Sequence, residues 1–435
     1  MRRSREGLKR GQEKPDRSRK KSGGNGAVQE RKGSFHMEKQ QYIDRAEQAF
    51  YKVYNRFPVV FDYGEGVHLY DTDGQEYLDF GAGIAVMGLG YSCQELKDVM
   101  KEQAEKLCHI SNLFYNVPSI EAGEKLLRAS GMEKVFFTNS GAEAIEGLLK
   151  IAKRHAFNKG MAPDYELIAM RHSFHGRTLG ALSVTGNDHY QEPFAPLIPG
   201  IRFATFNDLD SVKAVWSERT CAVIMETIQG EGGIYPATEE FIKGVRTLCD
   251  EHDALLLLDE IQCGMGRSGH MFAWQGYGVK PDGMSVAKAL GNGVPIGAFL
   301  AQGKAASAIV PGDHGTTYGG NPFVCAAASK VLDVFEEKNI VQHVREIGDY
   351  LWKKLDELVE KHEGIQAHRG MGLIQGLEFT KPVAPVVSNA LLEQKLVLIS
   401  AGSNVIRFVP PLVIEKADVD EMVKRLEAAI RVAVK

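Results

Sequence analysis

Apolar and polar positions alternate in three different textures along the chain. Over residues 59–80 short extended pieces are separated by the turn signals Tyr63-Gly64-Glu65-Gly66 and Asp71-Thr72-Asp73-Gly74, a pattern that predicts a small β-meander. From about residue 90 to 320, β-rich apolar runs at 167–170, 221–225, 255–258, 284–286 and 296–300 are separated in several places by amphipathic stretches, as at 141–157 and 238–251. Runs that are apolar on both faces, alternating with helices, predict a large α/β domain around a mostly parallel sheet. After Pro322 the period changes. Val341, Val344, Ile347, Leu351, Leu355 and Leu358 fall on one helical face, short strands are expected near 373–378 and 405–409, and Val419, Met422, Val423, Leu426 and Ile430 mark a last helix. The textures divide the chain into an N-terminal segment with the meander (37–89, part of a small domain), a large α/β domain (90–321) and a C-terminal small α+β domain (322–435).

Charge separates one further piece. Residues 1–36 hold 12 Lys/Arg against 4 Asp/Glu, whereas the remainder holds 40 against 52, so the body is acidic and nucleic-acid binding is not expected. The first 36 residues have almost no large apolar side chains to offset the entropy of ordering. They read as a disordered basic extension, with Met37 the expected start. Apolar runs such as 254–258 are far too short for a bilayer. The six cysteines are scattered without a C-x-x-C pair, which fits free thiols in a reducing cytoplasm. Cys249 and Cys325 fall in apparent helices, where buried packing is the plain expectation.

Three segments carry candidate chemistry. Phe136-Phe137-Thr138-Asn139-Ser140-Gly141-Ala142 runs from a strand into a helix, and the turn Ser140, Gly141, Ala142 would expose backbone N–H groups to an anion. An ordinary N-cap serine would look the same. The run 255–258 ends in Asp259, where open α/β sheets place ligands, although a structural aspartate is equally compatible. Lys288 lies between an apolar run and the Gly-rich turn 291–297; a dehydrated lysine there would be a nucleophile towards an aldehyde, whereas most lysines are solvated surface charges. Two patterns are set aside. Gly264-Met265-Gly266-Arg267-Ser268-Gly269 matches a dinucleotide loop but stands too far from its strand, and no helical pattern follows over 270–278. His172 and His175 form H-x-x-H without a third ligand at helical spacing, so no metal is expected.

In this combination the chain resembles the class III, fold type I pyridoxal-phosphate aminotransferases, and among them the acetylornithine type. The resemblance covers residues 38–435 and rests on blocks at 139–144, 173–178, 226–233, 258–266, 287–297, 314–322 and 404–411. It implies a mostly parallel seven-stranded sheet flanked by helices in the large domain, with a small α+β domain. It further implies that Lys288 binds pyridoxal 5′-phosphate covalently and shuttles the proton, and that Asp259 pairs with the ring nitrogen. Gln262 would bond the ring oxygen, Phe174 would stack on the ring, and Ser140, Gly141 and Ala142 would hold the phosphate. Thr317 would reach the phosphate of a neighbouring subunit, making a homodimer with shared sites. Arg177 would clamp the substrate carboxylate. Arg407 would pair with Glu231 while the amine donor is bound, then swing free for 2-oxoglutarate. The implied reaction converts N-acetylornithine and 2-oxoglutarate into N-acetylglutamate 5-semialdehyde and glutamate, a step of arginine biosynthesis.

Some positions depart from the family pattern. Thr227 replaces a usual proline, Ile145 a common asparagine and Cys263 a usual threonine, and 380–386 is shorter than is typical. Ornithine aminotransferase is the main rival, but it is marked by a tyrosine at the position of Ile84 and a tryptophan at that of His175. Ile84 in the substrate pocket would favour an N-acylated donor. Succinylornithine and 4-aminobutyrate remain alternative donors. An inactive paralogue serving as a binding protein is disfavoured, because Lys288, Asp259 and Gln262 are all present.

Overall fold

Four consecutive leucines set the centre of the fold. They occupy a strand whose five residues are all buried, as expected where helices cover both faces of a sheet. The computed structural model describes residues 38–433. The basic extension over 1–36 and the expected start at Met37 lie outside the described residues. The chain divides after Val53 into two units. Among its described residues the first holds one helix, Lys39–Ala49, with no buried side chain.

The second unit is built on a seven-stranded sheet. Its strands are β1 (Lys134–Thr138), β2 (Glu166–Met170), β3 (Ile201–Ala204), β4 (Thr220–Glu226), β5 (Leu255–Asp259), β6 (Gly283–Val286) and β7 (Gly297–Ala301). Their spatial order is β1-β7-β6-β5-β4-β2-β3. All neighbours are parallel except β7, which runs antiparallel to both β6 and β1. The expected runs therefore become strands within a residue or so of their anticipated limits. β3 was missed, because its exposed Arg202 interrupts the apolar run.

Two four-stranded sheets accompany it. The meander Phe61–Glu65, His68–Asp71, Glu76–Asp79 forms as expected and gains a parallel partner, Leu396–Val397, from the far end of the chain. The other sheet orders Ile365–Met371, Ile374–Phe379, Val405–Phe408 and Ile399–Ala401, all antiparallel. Its first and last strands escaped the sequence pattern: Ile365–Met371 is only partly buried and shows no apolar alternation. The long helix Ile340–Lys361 buries the anticipated stripe of Val344, Ile347, Leu351, Leu355 and Leu358, with Val341 only half-buried. The set-aside glycine motif forms a series of turns followed by a five-residue helix, Ala273–Tyr277, which the sequence pattern did not predict. Cys249 and Cys325 are buried in helices.

One helix fixes the register of the site against the sheet. Gly141–Asn158 begins on Ser140, whose side chain accepts from the Glu143 N–H, and its apolar face (Ile145, Leu148, Leu149, Ala152) is buried. Ile145, at a position where the family often has asparagine, is part of this packing. Gly147 lets the helix lie directly on Phe299 of β7: a Cβ there would sit 2.2 Å from the ring. Phe299 is itself stacked on Phe136 and has little room to retreat. Gly147→Ala is therefore expected to lower the thermal midpoint. Overpacking of about 1–3 kcal/mol outweighs the roughly 1 kcal/mol that alanine gains in helix propensity. A melt showing an unchanged or raised midpoint would contradict this close packing.

Candidate active site

Three adjacent strands carry polar residues at the same level near their ends. Glu226 and Asp259 close β4 and β5, Ser285 is the penultimate residue of β6, and both Glu226 and Ser285 are register partners of Asp259. The side chains meet at the carboxyl edge of the parallel strands, the position where such sheets open a crevice. A cavity of ≈ 440 Å³ lies there, and Ser140, Gly141, Phe174, Asp259, Gln262 and Lys288 are among the residues that line it.

Asp259 is buried and fully engaged. Its Oδ1 accepts from the Ile261 N–H at 3.0 Å and from Ser285 Oγ at 3.1 Å, and its Oδ2 lies 2.7 Å from His175 Nδ1. His175 Nε2 has no partner and is buried, so an Nδ1–H donating to the carboxylate is the tautomer that satisfies the pair. Half of the H-x-x-H motif thus supports Asp259, while His172 is exposed. Glu226 accepts from the N–H groups of Phe174 (3.2 Å) and Gly230 (3.3 Å). Burial, and then the charge of Asp259, push its carboxyl well above the usual range. Neither His175 nor Glu226 was singled out for these roles from the sequence. The usable signal was the alignment of short apolar runs that each end in a polar residue.

Lys288 follows β6 on a backbone with φ of 50°, a left-handed conformation that an unbranched side chain adopts at some cost. Burial lowers its ammonium to about 8, with Arg407 adding to the shift and Glu231, Asp259 and Glu226 opposing it. The helix Gly141–Asn158 also begins at the cavity wall, and its first N–H groups have no preceding turn to supply acceptors. Glu143 folds back on Asn139, accepting from its backbone and side-chain nitrogens at 2.9 Å, which holds the turn shut. Glycines make the walls close: a Cβ on Gly176 would come within 2.8 Å of Ala142, and one on Gly230 within 2.4 Å of Gln262.

The remaining expected residues are distributed unequally. Arg177 lines the cavity and stacks over Tyr190, 3.7 Å from its ring centre. Glu231 and Arg407 form a two-pronged pair at 2.5 and 3.2 Å, and Arg407 also donates to Gln262 Oε1 at 2.9 Å and Ser400 O at 3.3 Å. Thr317 is exposed and does not line the cavity. Ile84 was expected in the substrate pocket, but it is 45% exposed and is not among the lining residues; Val86 is. The reason is the backbone: Ala82, Gly83, Ile84 and Ala85 all have positive φ, forming one left-handed turn. Asp79 holds that turn through the N–H groups of Gly81 and Ala82.

The sequence profile of Aminotransferase class-III matches residues 50–430. The chain belongs to the class III aminotransferases. It is 50% identical to an acetylornithine aminotransferase of Clostridium acetobutylicum over 87% of this chain and 98% of that protein. It is 42% identical to the Methanocaldococcus jannaschii acetylornithine aminotransferase, with 90% and 98% covered. Among solved structures, an ornithine aminotransferase from Toxoplasma gondii overlays with a TM-score of 0.87 at 30% identity, covering 92% of this chain and 96% of that one; it is described as showing partial occupancy of PLP at its active site. The N-acetylornithine aminotransferase of Stenotrophomonas maltophilia K279a overlays with a TM-score of 0.77 at 37% identity, covering 90% and 99%.

The lowered Lys288 ammonium has a direct consequence. The neutral, nucleophilic amine dominates above about pH 8 rather than above the ordinary value of 10.5. In cofactor-free protein, reductive trapping of a small aldehyde on Lys288, followed by mass spectrometry, is expected to rise through a midpoint near pH 8. A midpoint near 10.5 would show that the amine is solvated.

Proposed function

We propose that this class III aminotransferase uses pyridoxal 5′-phosphate to transfer the amino group of N-acetylornithine to 2-oxoglutarate. The observation that carries the reading is that Lys288, Asp259 and the helix N-terminus at Gly141 line one cavity, with the Glu231–Arg407 pair bonded to Gln262 of its wall. The cavity fits the cofactor. Gly141 and Ala142 offer N–H groups to a phosphate, and Phe174 offers a ring face. Asp259 offers a buried carboxylate to a protonated ring nitrogen, and Gln262 an amide to the ring oxygen. Lys288 offers an amine to the aldehyde.

When bound, the cofactor supplies an electron sink for the charge left as a proton leaves the substrate carbon. The chain's own groups do the rest. With the cofactor bound, Asp259 would pair with its ring nitrogen, and His175 and Ser285 orient that carboxylate. The neutral Nζ of Lys288 takes the proton and returns it one position away. Arg177, in the cavity wall, would fork onto the substrate carboxylate.

The Glu231–Arg407 pair supports exchange between an uncharged distal group and a distal acid. Paired, the two charges cancel and leave a neutral wall for an acylated amine. With Glu231 displaced, Arg407 is free to receive a carboxylate. The expectation that Arg407 swings is replaced here by the opposite motion. Arg407 has two further acceptors and its side chain is only 3% exposed, against 31% for Glu231, so Glu231 is the half able to leave.

The curated relatives at 42–50% identity bear the acetylornithine name, which favours that donor. A Pseudomonas aeruginosa protein at 42% identity is named succinylornithine transaminase/acetylornithine aminotransferase, which keeps a second acylornithine as the alternative. A homodimer in which Thr317 completes the partner's phosphate site agrees with the exposure of Thr317 away from its own cavity. A cytoplasmic setting agrees with the six free cysteines. No described helix is long and apolar enough to cross a membrane.

Asp259→Ala is expected to reduce turnover about 10²–10³-fold, the usual effect of losing a preorganised charge in such a site. Steady-state rates that match the parent would refute its role. With 2-oxoglutarate as acceptor, kcat/KM is expected to be highest for N-acetylornithine among N-acetylornithine, N-succinylornithine, ornithine and 4-aminobutyrate. A strong preference for free ornithine would overturn the substrate assignment.

A further inference from the structure

Arg407 has a counterpart two strands away. In the antiparallel sheet Arg369 is the register partner of Gly376, and Gly376 is the register partner of Arg407. Cross-strand partners project from the same face, so two arginines flank a glycine on the side that faces the loop 230–235. Arg407 grips Glu231 near the start of that loop. Arg369 grips its far end: Nε donates to Gly233 O at 2.7 Å, and the guanidinium lies 3.9 Å from the centre of the Tyr235 ring. Glu378 fixes Arg369 in turn, with Oε2 2.5 Å from Nη1, while Glu378 Oε1 accepts from Asn404 Nδ2 at 3.1 Å.

The loop needs holding. Ile234, fully buried, has φ of 59°, and a β-branched residue pays for that conformation. Gly233 has φ of 117°, and a Cβ there would lie 2.9 Å from the Tyr235 ring. Between the arginines, a Cβ on Gly376 would come within 3.1 Å of Ile234, so the glycine leaves the space into which the strained residue packs. At the other end the Gly230 N–H is tied to Glu226. Strained backbone persists where its surroundings over-determine it, and here the sheet, through Arg369, provides the constraint.

We propose that Arg369 is a positioning residue that sets substrate choice: by clamping the strained loop through Gly233 and Tyr235, it presents Glu231 to Arg407 and so sets how readily Arg407 is released to an acidic substrate. This rests on the exchange function assigned above to the Glu231–Arg407 pair. Arg369 touches neither substrate nor cofactor in this scheme and acts only through Glu231. Loosening the clamp weakens the pair. An acidic ligand then competes less with Glu231 and binds more tightly. A neutral distal group meets a less well neutralised Arg407 and binds less well.

The test uses the holoenzyme with Arg369→Lys, which keeps the charge but loses the planar fork and the Nε donor, and with Tyr235→Leu, which removes the partly exposed ring beneath it. Calorimetry with glutarate, a dicarboxylate that cannot transaminate, is expected to show binding tightened roughly 3- to 30-fold, the range that neighbours coupled to a site produce. Half-reaction kcat/KM values are expected to shift in favour of glutamate over N-acetylornithine by a similar factor. In a Glu231→Gln background the same substitutions should add nothing. Equal losses in both half-reactions, unchanged glutarate binding, or an effect that persists without the Glu231 charge would each overturn the proposal. A parent enzyme that turns over neither glutamate nor N-acetylornithine would overturn the function itself, whatever the variants do.

Discussion

Negative charge buried at the carboxyl edge of the parallel strands is the constraint around which the site is arranged. Glu226 and Asp259 end neighbouring strands in register, and strands in a sheet lie about 4.8 Å apart. Two ionised carboxylates so close, away from water, repel each other and are poorly solvated. The structure separates their fates. Asp259 is stabilised by a backbone N–H, a serine hydroxyl and a histidine N–H. Glu226 has only two longer backbone contacts, and its proton affinity is raised. Asp259 lines the cavity, while Glu226 ties the segment at Phe174 to the loop that carries Glu231.

A third carboxylate one residue further on explains two departures from the family pattern. Glu260 is fully buried, and desolvation pushes it up to about 7. Thr227, which stands where a proline is usual, donates to it at 2.7 Å, and Cys263, which stands where a threonine is usual, lies within 3.6 Å. The N–H groups of Ala273 and Trp274 complete the set. The two substitutions therefore belong to one hydrogen-bonding unit, which reaches the cavity wall at Cys263. Arg267, from the glycine motif that mimics a dinucleotide loop, is likewise structural: it is fully buried and donates to the carbonyls of Leu373 and Pro410, fastening this turn to the segment that follows the Arg407 strand.

The backbone overlays both on an enzyme named for ornithine and on one named for N-acetylornithine. Substrate choice within such a scaffold is therefore left to a few side chains and to the loops that carry them. At the left-handed turn Ala82–Ala85 and the strained loop Gly233–Ile234 the unusual backbone decides where a side chain points.

The sequence alone determined what depends on local pattern and residue type. Leucine runs with no polar alternation dictate buried strands, the stripe on 340–361 dictates a helix, and the ordered blocks single out Lys288, Asp259, Gln262 and the Ser140–Ala142 turn, which line one cavity. Tertiary structure decided whatever depends on chain segments far apart meeting. Pairing of the meander with Leu396–Val397, the contact of His175 with Asp259 across 84 positions, and the alignment of Arg369 with Arg407 through Gly376 leave no local periodicity to read. The outward turn of Ile84 belongs to the same class, since positive φ at a β-branched residue opposes its intrinsic preference and exists only because Asp79 and the surrounding chain hold it there.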